Sequence, residues 1–345
     1  MGNQTKQSID WRIVENYIRS EIENLPNEKM EVKKFTEGYS NLTYLITIGD
    51  WEGVLRRPPF GYTPPKAHDM EREYRILDKI NPVFPLAPKV YTYSDDPKIM
   101  DKHFYIMEKK NGIVVDDEIP EEFGDSPEVG EKISEAVVST MAELHGIDYV
   151  KANLQNFGKP EGYLNRQVQG WIERYHRTKT EDIKIVEELE KWLIANMPTS
   201  GDVSIVHNDF KLNNMMLDAK DPGKVVGIFD WELATIGDPL TDLGTTLVYW
   251  AQKDDLDMGI TSVTDSPGFT SRREFLERYT TLSGLDVSNV NYYLTFGFYK
   301  LAGVLQQLYY RWKIGEHHDD RFSNLNESVG NLFAMAIEAK NNRLL

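Results

Sequence analysis

The stretch His207-Asn208-Asp209-Phe210-Lys211-Leu212-Asn213-Asn214, with the later Ile228-Phe229-Asp230-Trp231-Glu232, decides the fold of this chain. It places Asp209 five residues before Asn214, and a second carboxylate, Asp230, at the end of an apolar run. A single Asp or Asn in a polar loop commonly does no more than cap a turn. Three such groups in this order, beside predicted strands, indicate a shared site instead.

Short predicted strands surround these groups, at 203–206, 215–217 and 225–229. Pro222 and Gly223 predict that 218–224 forms the turn between the last two strands. Such a hairpin would bring Asn214 and Asp230 close together.

The spacing matches what kinases need for phosphoryl transfer. Their motif H-R-D-x-x-x-x-N supplies a base and a metal ligand, and a later Asp binds the Mg²⁺ that bridges the phosphates of ATP. Asp209 is therefore the predicted catalytic base, and Asn214 and Asp230 are the predicted Mg²⁺ ligands. Lys211, two residues after the base, is predicted to offset the charge of the transferring phosphoryl group.

The residue pattern in the first third of the chain predicts a β-sheet that binds a nucleotide. Residues 42–48 alternate in polarity, and Gly49-Asp50 then predicts a tight turn into the strand 51–56. In the preceding small-residue loop, Ser40 and Asn41 are predicted to cover the triphosphate, with an ordinary hairpin turn as the alternative.

Two further positions follow the kinase pattern. Arg56 stands at the strand end where kinases have a lysine, and it is predicted to pair with Glu73 of the next helix and to hold the phosphates. Glu108 ends an apolar strand at 104–108 and leads into Lys109-Lys110-Asn111-Gly112. In a kinase this would be the hinge, where backbone groups bind an adenine edge.

Helical periodicity appears at 9–22, at 70–80 and at 133–145, and the region 245–345 is predicted to be helical with a mostly buried aromatic series. His145 is interpreted as a residue that ends a helix rather than a ligand. The tract His317-His318-Asp319-Asp320 is interpreted as an exposed loop.

Composition excludes several classes of protein. The 345 residues are 40% hydrophobic and 27% charged, contain no cysteine and carry a formal net charge of −16. Disulfides and thiolate metal sites are thereby excluded, and nucleic-acid binding is not expected. No signal peptide or spanning segment is predicted, so a cytoplasmic enzyme without membrane association is expected. The acidic segment 116–132 is either a solvated loop or a rim that attracts a cationic substrate.

The motifs also resemble a known family. Stretches that carry the resemblance are Glu37-Gly38-Tyr39-Ser40-Asn41-Leu42-Thr43-Tyr44-Leu45, Val54-Leu55-Arg56-Arg57-Pro58-Pro59, Phe229-Asp230-Trp231-Glu232-Leu233-Ala234-Thr235-Ile236-Gly237-Asp238-Pro239 and Phe298-Tyr299-Lys300-Leu301-Ala302. The chain resembles the aminoglycoside phosphotransferase family, in the branch of the kinase-like domains of acyl-CoA dehydrogenase family members 10 and 11.

The resemblance implies an α+β, protein-kinase-like fold with two lobes. An N-lobe at 1–110, with an antiparallel sheet, would cover the nucleotide phosphates, and a mainly helical C-lobe at 111–345 would hold the catalytic loop. The roles of Asp209, Asn214, Asp230 and Arg56 agree with those above, and Asp242 is implied to brace the catalytic loop. One departure is Asn208, where the family usually has Gly.

These observations predict an ATP- and Mg²⁺-dependent small-molecule O-phosphotransferase. The acceptor is a hydroxyl compound, either aminoglycoside-like or hydroxyacyl-CoA-like. The alternative is a kinase-like nucleotide-binding protein that transfers no phosphate and acts through partners. A protein kinase is not favoured, because Asp230 is followed by Trp231-Glu232 and not by the D-F-G to A-P-E segment. The oligomeric state and the choice between ATP and GTP stay open.

Overall fold

A computed structural model describes residues 9–35, 41–61, 69–199, 201–316 and 318–345. The chain divides into two compact units. The first comprises Met1–Asn111 and Gly227–Glu232, and the second comprises Gly112–Val226 and Leu233–Leu345.

The first unit includes the segment Gly227–Glu232, whereas the predicted division at residue 110 places this segment in the C-lobe. The Ile228 N–H donates to the Leu86 carbonyl at 2.9 Å. The ring of Trp231 packs edge-on against Phe84, with 6.1 Å between the centroids. A backbone hydrogen bond and a buried aromatic contact therefore hold this segment to the first unit, although it lies far along the chain.

The first unit is built on an antiparallel sheet. Its strands are β1 (Glu31–Lys34), β2 (Leu42–Ile48), β3 (Trp51–Arg57), β4 (Val90–Ser94) and β5 (Phe104–Glu108). They lie in the order β1-β2-β3-β5-β4. The unit also contains the helices α1 (Trp11–Glu21) and α2 (Met70–Ile80).

Alternation along β2 produces the core of this unit. Ile46 and Ile48 face inward and are fully buried, as are Val14 and Ile18 on the apolar stripe of α1. Gly49 makes the turn into β3 with φ +57°, in the left-handed region that glycine enters without strain. The predicted hairpin and helix stripe are confirmed.

The second unit contains most of the helices. They are α3 (Pro127–His145), α4 (Tyr163–Thr178), α5 (Lys184–Ala195), α6 (Pro239–Tyr249), α7 (Arg272–Ser283), α8 (Val290–Lys313) and α9 (Leu325–Lys340). Its strands are β6 (Ile113–Val114), β7 (Ser204–Val206), β8 (Met215–Asp218), β9 (Asp221–Ile228, which continues into the first unit) and β10 (Thr235–Gly237). They form a sheet in the order β6-β8-β9 and a two-stranded ladder of β10 and β7.

Two local predictions were wrong. The turn predicted over 218–224 is shorter, because β9 already begins at Asp221 and includes Pro222. A proline is tolerated there since β9 lies at the edge of its sheet. The region 245–345 is not helical throughout, because 250–271 forms no helix. Arg272 ties this segment down by donating to the Asp255 carboxylate at 2.8 Å.

Helices α6 and α8 pack closely at Gly244. A Cβ on Gly244 would lie 2.4 Å from the Tyr293 carbonyl oxygen, so a larger residue would push the two helices apart. The aromatic rings of α8 are buried up to Tyr299 and only partly buried from Tyr309 onward. The predicted α+β fold, with a sheet-based first part and a mainly helical second part, is confirmed. Among the described residues, no helix has both the length and the apolar character to cross a membrane.

Candidate active site

The loop after β7 holds Asp209 and has a tight backbone conformation. Asn208 adopts φ +67°, in the left-handed region where glycine is unstrained and asparagine is the next most tolerant residue. Its side-chain oxygen accepts the Tyr163 hydroxyl at 2.8 Å, and its side-chain nitrogen donates to the Leu233 carbonyl at 3.0 Å. Asn208 therefore keeps the backbone shape that the family's usual glycine would allow, and adds two hydrogen bonds.

Asp242 of α6 holds this loop through hydrogen bonds to its backbone. Its carboxylate is fully buried; Oδ1 accepts the Asn208 N–H at 2.6 Å, and Oδ2 accepts the His207 N–H. Burial raises the pKa of Asp242, but hydrogen bonding and charge from His145 and His207 outweigh burial and hold the pKa below its ordinary value. An ionised carboxylate therefore fixes the two residues that precede Asp209.

His145 supports the same carboxylate, which the sequence did not indicate. It does end α3, as predicted, but it is buried, and its Nε2 lies 3.4 Å from Asp242 Oδ2. Its Nδ1 lies 2.7 Å from the Tyr279 hydroxyl of α7. Only the packing of α3, α6 and α7 reveals this link, because the three residues are far apart in sequence.

Asp209 lies beside both of the residues predicted to work with it in the second unit. The Asn214 side-chain nitrogen donates to Asp209 Oδ2 at 2.8 Å and to its main-chain oxygen at 2.9 Å. Lys211 Nζ is 3.3 Å from Asp209 Oδ2. The Asp209 side chain is 20% exposed, so a small molecule can reach it. Because the Asn214 nitrogen is engaged, its amide oxygen is the atom that it can offer to a cation.

A cavity of about 200 Å³ opens next to Asp209. Its wall combines charged groups, Asp209, Lys211 and Lys300, with apolar side chains from α4, α6 and α8. A second cavity of about 290 Å³ shares four lining residues with the first: Lys211, Tyr249, Leu301 and Val304. Lys300 was part of the family-like stretch of α8, but sequence reasoning had given it no role.

The first unit brings together a second group of predicted residues. Arg56 Nη1 donates to Glu73 Oε1 at 2.6 Å, so the predicted pair is present. Arg56 Nη2 also donates to Asp230 Oδ1 at 3.0 Å, a contact that the sequence did not predict. Asp230 has φ +66°, an uncommon conformation for a residue other than glycine, and such conformations concentrate at functional sites.

The pKa values of Glu73 and Arg56 are shifted from their ordinary values. Glu73 is fully buried, and burial raises its pKa to about 7 although Arg56 opposes the shift. Burial disfavours the Arg56 cation, but Glu73, Tyr105 and Asp230 outweigh this effect and raise the pKa of Arg56. Arg56 therefore stays charged and joins two carboxylates.

Three other residues, Ser40, Asn41 and Glu108, are predicted to bind the nucleotide. Asn41 Nδ2 lies 3.5 Å from Glu232 Oε2, and Ser40 lies outside the described residues. The Glu108 N–H donates to the Lys89 carbonyl at 2.7 Å, and its carboxylate accepts from the Lys89 N–H at 3.1 Å. The Glu108 N–H is thus engaged within the protein, and the nucleotide roles of these residues stay predictions.

The donor chemistry fits Mg²⁺, which prefers oxygen ligands. Asn214 offers an amide oxygen, and Asp230 offers the carboxylate oxygen that Arg56 does not hold. No group of three or more His, Asp or Glu side chains placed to hold a metal occurs in the described part of the chain. The predicted closeness of Asn214 and Asp230 stays a prediction, since they belong to different units.

Residues 31–275 match the family model described as "Phosphotransferase enzyme family". The chain belongs to this family. A mouse relative, acyl-CoA dehydrogenase family member 10, is 31% identical over 88% of this chain and 28% of its own length. The chain spans less than half the length of the curated relatives that it matches.

Solved structures resemble most of the chain. A Ralstonia eutropha protein, provisionally described as an aminoglycoside phosphotransferase, has a TM-score of 0.82 and 26% identity, and the match covers 96% of this chain and 99% of that one. The aminoglycoside phosphotransferase APH(4)-Ia, solved with ADP and hygromycin B, has a TM-score of 0.60 and 14% identity over 89% of this chain and 93% of that one. At this identity the second likeness shows the fold alone. The family resemblance seen in the sequence is confirmed.

Proposed function

We propose that this chain is an ATP- and Mg²⁺-dependent phosphotransferase that phosphorylates a hydroxyl group of a small molecule. One observation carries the proposal: Asp209 lines a cavity, is hydrogen-bonded to Asn214 and lies 3.3 Å from Lys211. Membership of the phosphotransferase family and the kinase-like neighbours support the same class of reaction.

In the proposed step, Asp209 accepts the proton of the acceptor hydroxyl as its oxygen forms a bond to the γ-phosphorus of ATP. The bond between that phosphorus and the β,γ-bridging oxygen breaks, and ADP leaves with the bond's electrons. Lys211 offsets negative charge on the transferring group. The brace by Asp242 keeps Asp209 in place, so little reorganisation is needed during the reaction.

The first unit supplies the proposed phosphate contacts. Arg56, oriented by Glu73, would hold the nucleotide phosphates, and Ser40, Asn41 and Glu108 are further proposed nucleotide contacts. Asn214 and Asp230 are the proposed Mg²⁺ ligands. The ion, when bound, would neutralise charge on the phosphates. The ADP complex of APH(4)-Ia supports an adenine nucleotide as the donor.

Two classes of acceptor are proposed. The hygromycin B complex of a fold neighbour supports an aminoglycoside-like acceptor, and the acyl-CoA dehydrogenase relatives support a hydroxyacyl-CoA-like acceptor.

The test is ADP release from MgATP with aminoglycosides and hydroxyacyl-CoA thioesters offered in parallel. Asp209→Asn should retain MgATP binding and lose turnover by about 10³-fold or more, because the base is gone. Asp254→Asn, an exposed aspartate of the same unit, is the matched control and should behave as wild type. Undiminished turnover in Asp209→Asn would disprove the base. MgATP binding without ADP release for every acceptor would favour a kinase-like protein that acts through partners.

A further inference from the structure

Lys300 brings a second ammonium group to the cavity of Asp209. Its Nζ donates to the Asn208 carbonyl at 2.9 Å and lies 3.5 Å from Thr245 Oγ1. Lys211 lines the same wall, and Asp209 is the carboxylate among the lining residues. The lining therefore carries two positive charges and one negative charge, so a net positive charge faces any molecule that enters.

The Lys300 ammonium has no carboxylate within salt-bridge distance in the described part of the chain. Burial lowers its pKa, Asp209 and Asp242 oppose this shift, and Lys211 adds to it. An ammonium group has three N–H donors, and a carbonyl and a hydroxyl account for two here. Lys300 is partly buried, and a partly desolvated cation without a carboxylate partner is stabilised by an anionic ligand, because removing a charge from water is costly unless it is paired.

Most of the remaining wall is apolar, and Asn208, Thr245 and Tyr249 are its polar members. Trp171, Leu233, Val248, Leu301 and Val304 line the same cavity. They suit a carbon skeleton better than a sugar covered with hydroxyl groups, because each buried hydroxyl would need a hydrogen-bond partner.

The acidic segment 116–132 does not line this cavity. Asp116 lines the neighbouring cavity, and its Oδ1 is engaged by Asn213 at 3.1 Å and by Thr261 at 3.2 Å. Asp117, Glu118 and Asp125 line a separate cavity. The formal charge of −16 therefore describes the whole chain and not the cavity beside the base.

We propose that Lys300 binds an anionic group of the acceptor, so that this site selects a hydroxy compound with a carboxylate or a phosphate on an apolar skeleton and rejects polycationic acceptors. The inference rests on the proposed function, since it names the acceptor class of the same site. The hydroxyl would face Asp209, the anion would pair with Lys300, and the skeleton would lie on the apolar wall.

Binding of a matched probe series tests the inference without requiring turnover. The probes are 5-hydroxypentanoate, 5-hydroxypentyl phosphate, 1,5-pentanediol and 5-amino-1-pentanol, which differ only in the terminal group. Calorimetry in the presence of MgATP should give the two anions at least 10-fold tighter binding than the diol or the amine. Preference for the carboxylate or for the phosphate distinguishes the two sources of negative charge. Equal binding of all four probes, tighter binding of the amine, or no binding of either anion would overturn the proposal.

Substitutions of Lys300 test whether this residue causes the preference for anionic probes. Lys300→Met should reduce the anion preference to within about 3-fold of the diol, and Lys300→Arg should restore part of it by returning the charge. Lys313→Met, the same substitution at an exposed position of the same helix, is the control. Lys300→Met with an unchanged anion preference would refute the assignment.

Two further measurements separate misfolding and failure of the proposed function from failure of this inference. Thermal melting and MgATP affinity report whether Lys300→Met is folded; if it is not, Lys300→Gln and Lys300→Arg provide the comparison. ADP release lost in Asp209→Asn tests phosphotransfer independently of acceptor charge. Anion-selective binding without ADP release would therefore support the inference and count against the proposed function.

Discussion

Asp242 accepts the backbone N–H of Asn208 at 2.6 Å, so a fully buried carboxylate on α6 sets the conformation of the residue immediately before Asp209. The His207 N–H donates to the same carboxylate. The position of the proposed base is thus determined by a residue more than thirty positions later in the chain.

Asp242→Asn should impair stability and turnover together. An amide cannot accept the His207 and Asn208 N–H groups as a carboxylate does, and a buried unsatisfied donor costs about 1–3 kcal/mol. We expect the free energy of unfolding to fall by about 2–4 kcal/mol and turnover to fall by about 10²-fold or more. Urea unfolding and ADP release would measure both, and wild-type behaviour in both assays would contradict the brace.

Asn208 should tolerate Gly better than Ala. Both substitutions remove the bonds to Tyr163 and Leu233, but only Ala is strained at φ +67°, by about 1–2 kcal/mol. The free energy of unfolding of Asn208→Ala should therefore be about 1 kcal/mol lower than that of Asn208→Gly. Denaturant titration of the two variants measures the difference. An alanine variant as stable as the glycine variant would exclude a left-handed conformation at this position.

Arg56→Lys should weaken nucleotide binding while preserving the charge. One ammonium cannot reproduce the planar fork that donates to Glu73 from Nη1 and to Asp230 from Nη2. We expect MgATP affinity, measured by calorimetry, to fall by about 10-fold, which is about 1.4 kcal/mol. Arg12→Lys, at an exposed position of α1, is the control. Unchanged affinity in Arg56→Lys would remove Arg56 from the phosphate site.

Glu73 should make stability depend on pH near neutrality. Burial raises its pKa from 4.5 to about 7, so between these values the folded state binds more protons than the unfolded state. Its contribution to the free energy of unfolding is then fully present below pH 4.5 and is lost as the pH rises through 7.

Comparison with Glu73→Gln isolates this effect. The difference in the free energy of unfolding, wild type minus variant, should decrease as the pH rises from 5 to about 8. Glu71→Gln, on the exposed side of the same helix, should show no such trend. A difference that is flat or increases with pH would show that Arg56 keeps Glu73 ionised throughout.

Gly244→Ala should separate α6 from α8. The added Cβ would meet the Tyr293 carbonyl oxygen at 2.4 Å, and overpacking of this kind costs about 1–3 kcal/mol. Gly330→Ala in α9 is a matched control, because no heavy atom lies within 4 Å of its Cβ. It should be neutral or stabilising, since alanine favours a helix. Thermal unfolding compares the two, and equal stability would rule out the close approach.

Several strands, turns and helices could be predicted because they follow from local patterns in the sequence. Alternation in β2, the Gly49-Asp50 turn and the stripe of α1 follow from residues that are near neighbours in sequence. The turn predicted over 218–224 is shorter because the edge strand β9 already begins at Asp221. The region 245–345 was predicted to be helical, but 250–271 forms no helix.

The sequence by itself determined which residue types stand in kinase-like order: Asp209, Lys211, Asn214 and Asp230, with Arg56 and Glu73 before them. Their spacing predicts a phosphotransfer site, because kinases place the base and the metal ligands at such intervals along the chain. The contacts of Lys300 with Asn208, of His145 with Asp242 and of Arg56 with Asp230 were decided only by the tertiary structure. The reason is physical: each contact joins residues that are separated by tens of positions, and only the packing of the intervening helices and strands brings their polar atoms within hydrogen-bond reach.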